Sequence, residues 1–591
     1  MQPVSTATDD QGIDAGLVNL RLYRLAFIPA AIALAVTMFS LSGVPKPIEP
    51  LIPTGAFDGA AASATAREIV RLAPVRPPAS AGDDRIADLV RERFAEIPAG
   101  AVSEQRLETE LDDSALVRNV LLTLPGDPAR TIVVAAGRDS ERGPGAASSA
   151  AATGVLIELA EALGVAGHDS TYLLASTSGG GTAARALIDS LLGGDSVDTV
   201  IVVSQPGAAE PSPPHAVITS AGRESGPVQL RRTAERAIET QTGITADDPT
   251  AFGELARLAF PSGLGAQAPL IADGTDAVAV SSAGERPLSE GDDSPEVVSG
   301  KSIDEFGRSV HALVGAVDTE PGLDHGPSTY VELSGNLIPG WTLAALGLAL
   351  FLPALLAAID ACARVSRRGG ALIRGFLWAV ARSAPFVGAL ALLYGLALTG
   401  PIPRPEFPFD PGVYPSGARA ASAFALIGLL ALVTALVLRR VGLSARTAPA
   451  GSLPALGAIT VLAATALWIA NPFCALLAVP IAHVWVLADT AGGRLRRALV
   501  VVAAALAVVP IIAALLSVSS ALELGGAAAW TFTLMVADGQ IGLAVMLPAA
   551  LLAGGLLAAI ALALTGGGRL PAQPRSSVTD RVRSEPTLEE A

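Results

Sequence analysis

The sequence predicts two structural classes in one chain: an α/β sheet domain with helices on both faces, and a polytopic α-helical membrane bundle. Three observations predict this. The 591 residues are 51% hydrophobic with a mean hydropathy of +0.51, too apolar for a soluble enzyme of this length. Apolar stretches of about twenty residues, long enough to cross a bilayer core as helices, recur after residue 335. Between residues 44 and 335, short β-rich runs alternate instead with helical stretches.

The elements follow in chain order. Residues 1–24 precede the first apolar stretch, "LAFIPAAIALAVTMFSLSG" at 25–43, and end in Arg21 and Arg24. That stretch lacks a small-x-small cleavage site and runs into the Pro-rich stalk "VPKPIEPLIP". It reads as a retained signal anchor with its N-terminus in the cytoplasm. Seven further spans are expected at 338–360, 376–399, 420–438, 453–470, 473–488, 498–517 and 541–565. The connections "ARVSRRGGALIR", "RRVGLSARTA" and "GGRLRR" carry the Arg clusters, whereas "GPIPRPEFPFDPGVYPSG" and "SSALELGG" do not. Positive loops on one side place 44–335 outside a cytoplasmic membrane and the tail 566–591 in the cytoplasm. The segment 526–540, "GAAAWTFTLMVADGQ", would invert the tail as a ninth span, so an interfacial or re-entrant piece is expected.

Composition narrows the partners. The formal net charge is −15, and the acids concentrate in 44–335, so that part is poorly suited to nucleic acid and no nucleic-acid partner is expected. Lys occurs only at Lys46 and Lys301, and with the Ala and Gly excess this is the composition of a GC-rich bacterial genome. The two cysteines, Cys362 and Cys474, fall in or beside apolar spans and staple nothing in the sheet domain.

Within 44–335, "NVLLTLPG", "TIVVAAG", "STYLLAST", "DTVIVVS", "HAVITS" and "DAVAVSS" read as strands. Helices are expected near 148–164 and 181–192. In the last one, "SIDEFGRSVHALVGAV", Ile303, Phe306, Val310 and Val314 recur at helical spacing. His311 there reads as a packed or surface histidine, since no second ligand lies one turn away.

The run "NVLLTLPGDPARTIVVAAGRDSERGPGAASSAAATGVLIELAEAL" resembles the core of the di-zinc aminopeptidases of clan MH, metallopeptidase family twenty-eight. The likeness continues through "STYLLASTSGGGTAARAL" and "DTVIVVSQPG" and covers most of 60–317. It implies a three-layer α/β/α aminopeptidase-like domain with a mixed sheet. It also implies two zinc ions held by imidazole and carboxylate, with a Glu as general base. Carried over by position, the first His ligand falls on Gly137, and only the acid two residues on is kept, as Asp139. The bridging acid falls on Ser148 or Ser149, the Glu pair on Gly179 and Gly180, and the third carboxylate on Ser204. The last His falls in "SEGDDSPE", which holds none. The resemblance therefore implies the fold of a peptidase with its metal site lost and zinc absent.

Other readings are plainer. Ser148 and Ser149 have no partnered His and read as a helix start rather than a nucleophile. Arg138 and Asp139 read as a surface ion pair. The Gly179–Gly181 run reads as a flexible turn before a helix. In the membrane part, Arg382, His483 and Asp538 are candidates for polar contacts inside the bundle, because ionisable groups are costly there.

The order of parts is an anchor, an external domain at 44–335, seven spans in 336–565 and a tail. It is similar to membrane-bound relatives of this family, among them ER and vacuolar peptidases and the anchor-attachment subunit of the GPI transamidase. The expected function is a membrane pseudopeptidase that binds a membrane-attached protein, peptide or lipid-linked partner. The alternatives are a working metallo-aminopeptidase with displaced ligands, and a lipid-handling or transport protein with an accessory external domain.

Overall fold

The computed structural model describes residues 18–565, apart from 51–55, 110–114, 142, 193–196, 209–213, 247, 290, 321, 325, 370–371, 444–447, 450 and 490–493. The tail expected at 566–591 and most of the N-terminal segment lie outside the described residues.

The first apolar stretch forms α1 (Leu20–Leu25) and α2 (Ile28–Phe39). It begins earlier than residue 25, because the Asn19 side chain caps it by accepting from the Arg21 and Leu22 amides. It ends earlier than 43, because Ser42–Gly43 pair as a short strand, β1.

The sheet domain follows. Two capped helices, α3 (Gly59–Leu72) and α4 (Ala81–Ala95), precede the strands β2 (Ala101–Thr109), β3 (Ala115–Leu124) and β4 (Asp127–Gly137). A π-helical turn at Ala146–Ala150 opens α5 (Ala151–Gly164). Then come β5 (Ser170–Thr177), α6 (Gly180–Leu192), β6 (Val197–Ser204), β7 (His215–Val217), α7 (Val228–Thr242), α8 (Ala251–Ala259), α9 (Gln267–Ala272), β8 (Ala277–Ser281) and α10 (Gly300–Thr319). The sheet order is β2-β3-β5-β4-β6-β8-β7, with β5, β4, β6 and β8 parallel and the outer strands antiparallel.

Ile132 to Ala136 of β4 are all buried, as expected of a strand covered on both faces. The crossovers from β4 to β5 and from β5 to β6 run in opposite directions along the sheet. Right-handed connections therefore put α5 on one face and α6 on the other. Helices α5, α3, α10 and α7 pack in sequence as one layer, and α6 with α9 form the second. The domain is a three-layer α/β/α sandwich around a mixed sheet.

A hairpin of β9 (Tyr330–Leu333) and β10 (Asn336–Pro339) leads out of the domain, and β10 pairs with β1. The boundary expected at 335 thus falls in the turn of a hairpin. The chain entering the domain and the chain leaving it are hydrogen-bonded together.

The bundle comprises α11 (Gly340–Arg367), α12 (Leu372–Ala381), α13 (Ala384–Leu398), α14 (Ala418–Arg440), α15 (Ser452–Ala470), α16 (Pro472–Asp489), α17 (Arg494–Ala521), α18 (Ala528–Asp538) and α19 (Leu543–Thr565). Among the described residues seven helical stretches are long and apolar enough to cross a membrane. One of them, Ala146–Gly164, is 83% buried inside the sheet domain, where its apolarity serves the core. The span expected at 376–399 is a pair, α12 and α13, bent by 45° at Arg382–Ser383. Pro472–Ala488 is a shorter apolar helix. The doubtful segment 526–540 holds α18, whose 11 residues are too few to cross a bilayer core of about 30 Å at 1.5 Å per residue.

Helices α11 and α14 end in Arg364, Arg367, Arg439 and Arg440, and at the start of α17 Arg497 donates to the Leu564 carbonyl of α19 at 3.3 Å. The sheet domain sits on the other end. The Asn471 Nδ2, between α15 and α16, donates to the Leu258 and Ala259 carbonyls at 3.2 and 3.1 Å. Gln540 donates to the Ala221 and Pro261 carbonyls at 2.6 and 3.1 Å. Arg223 reaches the Ala470 carbonyl at 3.3 Å. Helix α8 packs on α16 and α17, and its buried Ala256, Leu258 and Ala259, with Phe260 directly after it, belong to the same apolar cluster as the bundle core. Apolar burial plus these bonds fixes the domain on the bundle.

Candidate functional site

The parallel strands β5, β4, β6 and β8 end together, and β4 lies where the chain switches from one side of the sheet to the other. Open α/β sheets leave a crevice at that point. The loops after these strands carry every position that the resemblance marks. Gly137 closes β4, Gly179 follows β5, and Ser204 closes β6 opposite Ser281 of β8.

Asp139 turns toward the β5 loop, where its Oδ1 accepts the Gly179 amide at 3.2 Å. Gly179 and Gly180 have φ of 92° and 64°, left-handed values that favour glycine and swing the backbone into α6. Of the Gly179–Gly181 run, expected as a flexible turn before a helix, Gly180 already opens α6, and the Gly179 amide is taken by the protein's own Asp139 carboxylate. Ser148 and Ser149 lie in the π-helical turn at the start of α5. Asp293, from the loop where the last His ligand would fall, accepts the Ala147 and Ser148 amides on Oδ1 at 2.8 and 2.9 Å. Its Oδ2 accepts the Ser148 hydroxyl.

Arg138 is not half of a surface pair with Asp139. Its side chain is fully buried and pairs with Asp83 of α4: Nη2 donates to Oδ2 at 3.1 Å, and Nε lies 2.8 Å from Oδ1 as an ion-pair contact. The misreading came from sequence adjacency: successive residues at a strand end point to opposite sides.

A second buried guanidinium, Arg76, ties the loops together. Its Nε donates to the Arg138 carbonyl at 2.6 Å, Nη1 to the Pro144 and Ala73 carbonyls at 2.7 and 3.2 Å, and Nη2 to the Ser149 hydroxyl at 2.6 Å. The turn at Gly145 exists to admit it. A Cβ there would lie 2.8 Å from the Arg76 Nη2, and the residue has φ of 54°.

Electrostatics follow from this packing. Burial pushes the Asp139 carboxyl up to about 6, helped by the nearby Asp83 charge and opposed by Arg138. Burial also raises Asp293, against the hydrogen bonds from Ser148 and Ala147. It lowers Arg76 to about 10, and the charges of Asp139, Asp293 and Asp83 hold it up, so Arg76 is the site's fixed cation at neutral pH.

Zinc takes three or four N, O or S donors. The site offers Asp139 and Asp293, both already accepting main-chain amides, with a guanidinium among them. Among the described residues no three His, Cys, Asp or Glu side chains converge. His168 stacks on Tyr172, His311 is buried in the domain core and His483 lies in the bundle, all away from these loops, whereas His215 of β7 pairs in register with Ser281 at the end of β8. His325 falls outside the described residues.

Sequence reasoning missed Arg76, Asp83, Asp293 and Gln205. Gln205, with φ of 52°, holds the rim: its Nε2 donates to the Gly284 and Arg286 carbonyls at 3.3 and 3.2 Å, and its Oε1 accepts the Leu288 amide at 3.0 Å. Arg286 in turn donates to the Glu523 carbonyl just beyond α17, at 2.8 Å. The rim of the crevice therefore touches the bundle.

The three membrane candidates are placed apart. His483 of α16 accepts or donates through Nδ1 with the Tyr23 hydroxyl at 2.9 Å, and its Nε2 lies 3.0 Å from the Leu350 carbonyl, joining α1, α16 and α11. Arg382 sits at the α12–α13 bend with its guanidinium 5.2 Å from the Trp378 ring centre. Asp538 ends α18 beside the Phe407 amide and Arg404.

No family model matches the chain, and no curated protein matches it. Among solved structures the chain is similar to the Legionella pneumophila LapA aminopeptidase, at 10% identity over 54% of this chain and 80% of that one, with a TM-score of 0.36. It is similar to a leucine aminopeptidase precursor from Bacteroides thetaiotaomicron, at 12% identity, 45% and 99% coverage and a TM-score of 0.37. It is also similar to a glutaminyl cyclase from an Acidobacteriales bacterium, at 16% identity, 46% and 98% coverage and a TM-score of 0.34.

Proposed function

We propose that this chain is a multipass membrane pseudopeptidase, a zinc-free recognition or assembly platform whose partner is a membrane-attached protein or a lipid-linked molecule. The observation that carries the reading is the use of the site's two carboxylates. Asp139 accepts the Gly179 amide and Asp293 accepts the Ala147 and Ser148 amides, so both carboxylates are engaged by the loops, which supports a reading without a metal. Arg76 supplies the positive charge there. Loops fixed in this way present a preformed crevice, and preformed surfaces lose little entropy on binding.

The contact between the crevice rim and the bundle supports a partner held at the same membrane, since co-localisation raises its effective concentration. In this reading the membrane is a bacterial cytoplasmic membrane, with the Arg-rich end of the bundle inside and the sheet domain outside.

Ser178 is fully buried, whereas Glu141 and Ser289 are exposed on the rim loops. Photo-crosslinkers at Glu141 and Ser289 in native membranes are expected to trap a membrane protein or lipid-linked molecule. Recovery of soluble peptides alone, or hydrolysis of an aminoacyl substrate that a chelator abolishes, would overturn the reading.

A further inference from the structure

Away from the crevice, a half-open cavity of about 260 Å³ lies between the sheet domain and the bundle. Its domain wall carries Glu254 and Arg257 of α8 together with Thr219 and Glu285, and its bundle wall is the last turn of α17, including Ser517. Its position fixes the setting. Leu516, directly before Ser517, is 63% exposed on the bundle flank, and the polar run "SVSSALELGG" begins at Ser517. The cavity therefore opens where the apolar part of a span gives way to polar chain, the level of lipid headgroups.

The charged groups are not equivalent. Glu254 and Arg257 neutralise each other, with Arg257 Nη2 3.3 Å from Glu254 Oε1. The second Glu254 oxygen accepts the Glu332 amide at 3.2 Å, and Arg257 Nη1 donates to the Ile218 carbonyl at 3.3 Å. Among the described residues Glu285 makes no ion pair, and burial raises its carboxyl against the charge of Arg257 nearby, so a cation beside it would favour its ionised form. Glu285 accepts the Leu264 amide at 3.1 Å, the Gly265 amide and the Thr219 hydroxyl, which orient it. An ionised carboxylate offers about four acceptor sites, so one remains after these three donors. The lining holds two Glu and one Arg, so ionisation of Glu285 would leave it one negative charge in excess. Thr219 and Ser517 add hydroxyls. Buried charge without a counter-ion is costly, and a cationic donor entering the cavity relieves that cost.

We propose that this cavity binds a primary ammonium group, carried either by an aminophospholipid headgroup or by a small soluble amine, with Glu285 as its counter-ion. A bulky quaternary ammonium lacks the N–H donors to use the free carboxylate site. A phosphoglycerol headgroup brings only negative charge to it. The ligand bridges the two parts of the chain and strengthens their docking by mass action.

The test uses the full chain. Protein extracted from vesicles of phosphatidylethanolamine and phosphatidylglycerol in equal parts is examined by native mass spectrometry for retained lipid. In parallel, ethanolamine is titrated calorimetrically into delipidated protein in detergent. Preferential retention of phosphatidylethanolamine assigns the lipid source, and heat from ethanolamine alone assigns the soluble one.

Glu285→Gln is expected to weaken whichever binding is seen by about tenfold or more. Glu161→Gln, on the exposed face of α5, is expected to leave it unchanged. Ser517→Phe fills the cavity from the bundle side without touching Glu285 and is expected to abolish binding, which keeps the test valid if Glu285→Gln misfolds. Equal retention of both lipids with no ethanolamine heat, or binding that survives Ser517→Phe, would overturn the proposal.

Discussion

Asp293 spans the crevice to Ser148, accepting that residue's amide at 2.9 Å and its hydroxyl as well. The two residues come from the loop after β8 and the π-helical turn that opens α5. A bond between side chains and backbone here closes the space by joining the loops directly. Asp293→Ala leaves two amides at the start of α5 without their acceptor. It is expected to destabilise the domain by about 1–3 kcal/mol. Hydrogen exchange should speed up first at 146–150, and unchanged exchange there would show that the bond contributes nothing.

The Arg138–Asp83 pair is the deepest charge pair in the domain, and breaking one partner leaves the other buried and unpaired. Asp83→Asn or Arg138→Met is each expected to cost about 3–5 kcal/mol in thermal or denaturant unfolding. A loss below about 1 kcal/mol, the range of exposed pairs, would contradict the burial described.

Two buried groups give opposite pH responses. Asp139 has its carboxyl raised to about 6 by burial, so its contribution to stability is complete below pH 4 and fades as pH rises through 6. Asp139→Asn keeps the oxygen that faces Gly179 and is expected to recover on the order of 2 kcal/mol at pH 8, with little change at pH 4. His311 is lowered to about 4 by burial, so the neutral ring is favoured and stability falls as pH drops from 6.5 toward 4. His311→Leu should remove roughly 2–3 kcal/mol of that acid loss. Melting temperatures at pH 4.5 and 8 test both signs.

Asn471 links the two parts of the chain. Its Oδ1 accepts the Phe473 and Cys474 amides at the start of α16, both at 3.0 Å, while its Nδ2 holds the carbonyls of Leu258 and Ala259. Asn471→Ala loses all four bonds and is expected to cost about 2–4 kcal/mol. Proteolysis or hydrogen exchange should show 251–260 loosening before the sheet. Loosening of the whole sheet domain at once would mean the docking is not a separate unit.

Much of this architecture could be read from residue patterns, because the strongest signals are local. The buried run Ile132 to Ala136 and the helical spacing of Ile303, Phe306, Val310 and Val314 locate β4 and α10. Hydropathy alone located the stretches that fold as the bundle helices. What the sequence hid is long-range. Arg76 and Ser149 are 73 positions apart, and Asp293 and Ser148 are 145 apart, so no local period joins them. Docking was hidden for the same reason. A Pro-rich stalk does not announce docking, which rests on the pairing of Ser42 with Leu337, on α8 against the bundle and on long-range bonds such as those of Asn471 and Gln540. The bend at Arg382–Ser383 was also unannounced, since the apolar run continues through it.

The reading of the chain as a zinc-free platform is tested most directly by elemental analysis of the purified full-length protein after incubation with zinc and extensive dialysis. The site has two carboxylates engaged by the main chain and the Arg76 guanidinium among them, where zinc takes three or four free donors. The expected result is zinc well below one ion per chain, with Asp139→Ala and Asp293→Ala leaving the value unchanged. Retention of about one or two zinc ions per chain, lost in either variant, would contradict the account and restore the metallopeptidase.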